Sequence, residues 1–313
     1  MPPKLLVIVG PTASGKTRMA VELAKQLDGE VVSADSMQIY RRMDIGTAKP
    51  TKEEMQGIPH HMIDVVEPDE AFSVARYVEM ASQCVDDIVS RDKTPILAGG
   101  TGLYIDSLCS GRTFASFSQE SGLREQLEQE LSEVGGAAML ERLKKVDPES
   151  GARLHANDHK RIIRALEVYE STGKTLTQHN LDTQKIPPRY DALTVGLAFQ
   201  ERAHMWGRID QRVDEMVAAG LEQEVYNLLN AGIPQNCTAM QAIGYKEFVE
   251  VAEQGGNREK AIEMVKLRSR QYAKRQLTWF RKNTNTKWIL WDENPNILQA
   301  IQSSTSFAHA FGL

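Results

Sequence analysis

A chain of 313 residues, 41% apolar and 25% charged, has the ordinary composition of a soluble globular protein of one large or two modest domains. The net charge of −5 carries no global sign of nucleic-acid binding, so any such site has to be a local basic patch. Cys84, Cys109 and Cys237 are scattered and form no C-x-x-C pair, which argues against a disulfide framework or a zinc site and for a reducing compartment. Met1-Pro2-Pro3-Lys4 leads straight into the first apolar run with no room for a signal peptide, and no run approaches the length of a membrane span. A cytoplasmic monomer with no membrane partner is expected.

Leu5 to Val9 is a short apolar run of buried-strand type. It leads into Gly10-Pro11-Thr12-Ala13-Ser14-Gly15-Lys16-Thr17, which matches G-x-x-x-x-G-K-[ST] at every fixed position. Met19, Ala20, Leu23, Ala24 and Leu27 follow at helical spacing, with Asp28-Gly29 as the stop. Strand, glycine loop and helix start form a cradle for a polyphosphate: backbone N–H groups point inward and the helix adds its positive dipole end. Lys16 supplies a full charge, and the Thr17 hydroxyl can ligate Mg2+. The loop does not distinguish ATP, GTP or another diphosphate.

Glu30 to Ser33 reads as a second strand ending in Asp35-Ser36-Met37-Gln38. Ligands of open parallel sheets bind beyond the carboxyl ends of strands, so Asp35 and Gln38 are expected in the same crevice as the glycine loop. Asp35-Ser36 reads equally as a helix N-cap. Residues 39–59 are irregular and rich in Gly, Thr and charge, as in a working loop. His60-His61, lacking a third ligand, reads as a turn or surface pair, and Met62 to Val66 as a strand. Ser73 caps a helix to about Val89, with Val74, Tyr77, Val78, Ala81, Val85 and Ile88 on its buried side. Pro95 to Ala98 is a further strand, running into Gly99-Gly100-Thr101-Gly102, a second glycine turn that admits close backbone approach and offers the Thr101 hydroxyl.

From about Thr113 to Ala192 the strand–helix alternation stops. Leu123, Leu127, Leu131 and Val134 make one helical stripe, and Gly135-Gly136 breaks it before Met139, Leu140 and Leu143. Asn157-Asp158 caps a helix from His159 to Ser171, with Ile162, Leu166 and Tyr169 inward. Lys160, Arg161 and Arg164 oppose the dipole at its start, which suits a phosphate backbone or a solvated face. Gly173 reads as the residue ending that helix.

Asp191 to Leu197 returns to strand character, followed by a helix from about Glu201 to Ala219 ended by Gly220. On it Arg208 and Arg212 lie four apart beside Asp210 and Asp214, a pattern that also fits a surface ladder of ion pairs. Gly244-Tyr245-Lys246 gathers a stacking ring, a donor and a charge, as unpaired RNA bases require. In the helix of about Ile262 to Phe280, Lys266, Arg270 and Lys274 form a stripe that reads as a polyanion footprint, while Val265, Tyr272 and Trp279 mark the inward side. Lys287 to Trp291 is a last strand, and the tail after Asn294 carries no signal. The expected fold is α/β: a P-loop NTPase-like parallel sheet flanked by helices, with core segments 1–113 and 192–313 around an α-helical insertion, 114–191.

The phosphate loop, Asp35 to Tyr40, Met43 to Pro50, Gly99-Gly100-Thr101, Arg161 to Leu176 and Gly244-Tyr245 together resemble the bacterial tRNA dimethylallyltransferases (tRNA isopentenyltransferases), from residue 4 to about 291 in one order. The loop alone is unspecific; the Asp35 to Pro50 block is highly specific. The resemblance implies transfer of a dimethylallyl group from dimethylallyl diphosphate to N6 of the adenosine just 3′ of the anticodon. It implies Asp35 as general base and Lys16, Mg2+ on Thr17, and Arg212 as stabilisers of the leaving diphosphate, with Thr101 near the reacting end. Gln38 is placed to read the edge of an extruded base. By resemblance the tRNA anticodon stem-loop meets Asp35, Ser36, Met37, Gln38, Thr101, Arg124, His159, Lys160, Arg161, Ile162, Ile163, Gln241, Ala242, Ile243, Gly244, Tyr245 and Lys246, with the insertion clamping its phosphates. Two rivals share the loop: a small-molecule kinase, opposed by the lack of an arginine-rich lid after a central strand, and a nucleotide-gated RNA-binding protein, opposed by the lack of an Asn-Lys-x-Asp motif.

Overall fold

A computed structural model describes residues 2–111 and 122–313; the expected boundary at 113 and 114 lies outside them. Six described strands form one all-parallel sheet: β1 (Lys4–Val9), β2 (Gly29–Ala34), β3 (His60–His61), β4 (Thr94–Gly99), β5 (Asp191–Phe199) and β6 (Lys287–Trp291). Their order is β3-β2-β4-β1-β5-β6. Alternation along β1 sets the two layers. Leu6 and Ile8 pack on Met19, Ala20 and Leu23 of α1 (Lys16–Gln26), while Leu5, Val7 and Val9 face Tyr77, Ala81 and Val85 of α3 (Val74–Ser90). Each such fully buried aliphatic side chain contributes about 1.5–3 kcal/mol.

Register fixes what lies at the carboxyl edge. Val9 pairs with Gly99, Gly99 with Ala34, and Val9 with Gly196. The residues just beyond, Gly10, Asp35 and Gly100, therefore leave three adjacent strands at the same level. This approach is closer than any side chain permits: a Cβ on Gly99 would stand 2.2 Å from the Ala34 carbonyl oxygen.

The strand expected at Met62 to Val66 is instead His60–His61, pairing with Val31 and Val32. Met62 and Asp64 adopt φ of 62° and 55°, which breaks extended pairing, and the chain hooks onto residues 38–41, with Val65 N donating to the Ile39 carbonyl (2.8 Å). Sequence reading also passed over α2 (Lys52–Met55), one turn closed by a Thr51–Glu54 capping box, and α4 (Gly102–Cys109).

Contacts divide the chain into two compact units, Met1–Cys109 with Arg189–Leu313, and Ser110–Pro188. In the second unit, α5 (Leu123–Val146) bends at Gly135, whose φ is 80° and ψ 161°. It packs with α6 (Pro148–Arg153) and α7 (His159–Thr172), and α8 (Leu176–Gln184) packs against those two. Leu127, Met139, Leu140, Leu143, Ile162 and Leu166 are buried there, but Val134 is half exposed, because it directly precedes the bend. Asp158 stands before α7 without capping it; its carboxylate accepts from His155 N instead (2.9 Å).

The first unit continues with α9 (Arg202–Ala218), α10 (Leu221–Asn230), a short 3-10 turn at Ala239–Gln241, α11 (Tyr245–Gln254), α12 (Arg258–Phe280) and α13 (Ile297–Phe311). Gly220 starts α10 rather than simply ending α9. The inward side of α12 is Val265, Ala273, Gln276 and Phe280; Trp279 is partly exposed and donates to Asp106 Oδ2 (2.8 Å). No described helix is long and apolar enough to cross a membrane.

Candidate active site

The glycine loop turns through Gly10, Ala13 and Gly15, the last two at φ of 61° and 87°. A Cβ on Gly10 would stand 2.5 Å from the Leu197 carbonyl oxygen, so the loop lies against β5 as only glycine allows. Trp291 of β6 donates from Nε1 to the Ser14 carbonyl (3.0 Å). Lys16 Nζ donates to the Pro11 carbonyl (2.7 Å), folding back across the loop mouth.

Arg208 and Arg212, four apart on α9, turn to the same loop. Arg212 Nη1 donates to Thr12 Oγ1 (3.2 Å) and Arg208 Nε to the Ala13 carbonyl (3.4 Å). Their neighbours Asp210 and Asp214 face away, to α12: Arg270 Nη1 lies 2.6 Å from Asp210 Oδ2 and Lys266 Nζ 2.8 Å from Asp214 Oδ1. The ladder of ion pairs therefore exists, between α9 and α12 rather than along α9. It also corrects the polyanion footprint. Lys266 and Arg270, side chains 15% and 27% exposed, are neutralised by those aspartates and offer a phosphate backbone little.

Lys16 and Arg212 share one poorly solvated space. Burial, then the charge of Arg212, brings the Lys16 ammonium down to about 7, with Asp35 opposing. Arg212 is lowered from its ordinary range by burial, again with Asp35 opposing. Two cations weakened by burial beside an anion-cradling loop, one of them further by the other's charge, are short of negative charge, and a diphosphate supplies it.

Asp35, at the end of β2, faces both. Its Oδ1 accepts from Met37 N (2.9 Å) and Gln38 N (3.4 Å), so it closes a turn and occupies the crevice at once; no helix follows it to cap. Among the described residues its Oδ2 accepts no hydrogen bond. Thr101, just beyond β4, accepts from Ser36 N at Oγ1 (3.0 Å) and fixes that turn to the second glycine turn. Burial, then the negative charge of Asp35, pushes the Tyr272 phenol up to about 12, and burial raises Tyr104 as well.

Gln38 departs from the role expected of it. Its Oε1 accepts from Ser33 Oγ (2.9 Å), and its Nε2 donates to the carbonyls of Ala48 (3.2 Å) and Thr47 (3.4 Å), so the amide holds the next loop. That loop is pinned from the other side by Glu224 of α10, which accepts from the backbone N of Asp44 (2.8 Å), Ile45 (2.8 Å) and Gly46 (3.0 Å). Tyr245 also donates to Glu224 (2.5 Å) and is fully buried, packed where a Cβ on Gly46 would stand 2.4 Å from its ring. Tyr245 thus has no face for a stacked base. Beside it, Gln241 is exposed and donates to the Gln235 carbonyl (2.9 Å), Ala242, Ile243 and Lys246 are half-buried, and Gly244 has φ of 100°. His61 Nε2 lies 2.8 Å from Glu30 Oε2, and no described cluster of His, Cys, Asp or Glu could hold a metal by itself.

In the second unit, Arg124 and Arg164 both reach Glu167 (4.0 and 2.8 Å), which draws Arg124 to α7. Lys160 and Arg161 are exposed; Ile162 and Ile163 are buried in that unit's core and present no side chain to a partner. His159 packs over the bend, where a Cβ on Gly136 would stand 2.8 Å from its Nε2. Sequence reading left Arg208 between loop and surface ladder, took Tyr272 only as an inward residue, and passed over Gln276 and Glu224. For the first three, helical phase relative to Arg212 and to the glycines was the available signal; Glu224 carried none.

The IPP transferase family profile matches residues 38–283, which leaves the phosphate loop and Asp35 just outside it. A tRNA dimethylallyltransferase of Thermoanaerobacter sp. (strain X514) is 48% identical over 94% of this chain and 93% of its own. Another, of Acetivibrio thermocellus, is 45% identical over 99% and 98%. Among solved structures, the tRNA delta(2)-isopentenylpyrophosphate transferase of Staphylococcus epidermidis is 41% identical with a TM-score of 0.71, over 99% of this chain and 100% of that one. A eukaryotic dimethylallyltransferase acting on tRNA superposes with a TM-score of 0.82 at 30% identity, over 98% of this chain and 80% of that one.

Proposed function

The chain belongs to the IPP transferase family, and we propose how its residues divide the work of moving a dimethylallyl group from dimethylallyl diphosphate to N6 of the adenosine just 3′ of a tRNA anticodon. The diphosphate lies in the glycine loop as a leaving group. Lys16 and Arg212 take up its growing charge as the allylic carbon–oxygen bond breaks, and they do so in a space where charge is poorly screened. The adenine amine attacks that carbon, and Asp35 accepts its proton through Oδ2. Thr101 keeps the Asp35 turn in place. Lys160, Arg161 and Arg124 meet tRNA phosphates, which position the anticodon arm without reading it.

A small cavity of about 30 Å3 is walled by Thr17, Ser33 and Gln38 together with His60 and apolar residues such as Val31 and Ile63. A hydroxyl next to the glycine loop suits magnesium, which takes few protein ligands. Thr17 would hold it, and it would add to the neutralisation of the leaving group.

The observation that supports this reading most is the pair Lys16 and Arg212, each weakened by burial beside the loop and opposite Asp35. Its test is mass spectrometry of tRNA nucleosides after incubation with dimethylallyl diphosphate and Mg2+. Wild-type protein is expected to yield dimethylallyladenosine, and Asp35→Asn to lower turnover by about 10²–10⁴-fold with tRNA affinity retained. Unmodified adenosine with the wild type, or undiminished turnover with Asp35→Asn, counts against it.

A further inference from the structure

We propose that Gln276 is a positioning residue of this reaction, holding the glycine loop and the Gly99–Gly102 turn at a fixed separation so that leaving group and acceptor base meet. Gln276 sits in the basic stretch of α12, yet it is 5% exposed. Its Oε1 accepts from Thr12 N (2.9 Å) and its Nε2 donates to the Gly100 carbonyl (3.0 Å). One planar amide therefore joins the segments that leave β1 and β4. Its orientation is not free, because Thr12 N can only donate and the Gly100 oxygen can only accept.

Both ends lead to reacting groups. On the leaving-group side, Thr12 carries the hydroxyl that accepts from Arg212. On the acceptor side, Gly100 is followed by Thr101, which holds Ser36 N and with it the Asp35 turn. The same contact explains a sequence feature, since a Cβ on Gly100 would stand 2.2 Å from Gln276 Nε2. A further consequence concerns the cradle: the Thr12 N–H is spent on Gln276, so the diphosphate is held by N–H groups later in the loop. Glutamate would set a second oxygen against the Gly100 carbonyl, and methionine would make neither bond, leaving two polar groups unsatisfied.

The inference rests on the reading above, but the two fail separately, because this one is read from diphosphate binding without turnover. Calorimetry with inorganic diphosphate is expected to give a Kd about tenfold weaker for Gln276→Met than for wild type. KM for dimethylallyl diphosphate rises in parallel, kcat falls, and tRNA affinity stays within about twofold. Unchanged diphosphate affinity and kcat in Gln276→Met overturn the proposal. Should that variant not fold, Gly100→Ala pushes the amide aside with Gln276 present and is expected to show the same loss. The double variant Gly100→Ala/Gln276→Ala is then expected to be no worse than Gln276→Ala alone, whereas fully additive losses contradict the coupling.

Discussion

Lys16 brings a liability that becomes useful only when an anion arrives. With its ammonium brought down to about 7, it is largely neutral in the empty site above that pH. A diphosphate favours the charged form, so binding above about pH 7 takes up a proton. Affinity is then expected to fall as pH rises beyond about 7, by up to tenfold per unit, and to lose no further through Lys16 below it. The check is calorimetry of diphosphate against pH for wild type and Lys16→Met, which cancels the ligand's own titration. A wild-type slope no steeper than that of the variant contradicts the shift. At this scale the loop residues, Asp35 and Thr101 were legible, because motif and strand ends specify them. The commitments of Gln38 and Tyr245 were not. Whether a polar side chain faces ligand or protein depends on partners far along the chain, such as Glu224 for the loop at Asp44 to Gly46.

Helices α9 and α12 show why a charge pattern is ambiguous until phase is known. Each carries cations four apart, and spacing alone left the α9 stripe open between a site and a surface ladder while it read the α12 stripe as a polyanion surface. In the fold the α9 arginines serve the loop, while its aspartates take the α12 cations. The change Lys266→Met/Arg270→Met is therefore expected to lower stability by about 0.5–1 kcal/mol per pair. It should leave the salt dependence of tRNA binding nearly as it was. Denaturant unfolding and a binding titration at several salt concentrations check both. A clear loss of salt dependence at unchanged stability restores the polyanion reading for these two residues. The helices themselves were mostly legible from apolar spacing. The lapses fell where one turn is set by a capping box (Thr51, Glu54), or where a strand of two residues is set by pairing rather than by its own sequence (His60, His61).

Across the whole chain, a parallel sheet brings three loops to one edge, and the register of β1, β2 and β4 makes their first residues neighbours. That arrangement would also serve phosphoryl transfer, so the central claim concerns which bond breaks: in the proposed reaction it is the allylic carbon–oxygen bond, and in a kinase-like reaction a phosphorus–oxygen bond. Dimethylallyl diphosphate carrying 18O in the oxygen that joins carbon to phosphorus separates the two. After reaction with tRNA, the account predicts that the label leaves entirely in the released diphosphate while the tRNA gains the hydrocarbon group. Label retained in dimethylallyl monophosphate, with the terminal phosphoryl group on an acceptor and the tRNA unchanged, would contradict it.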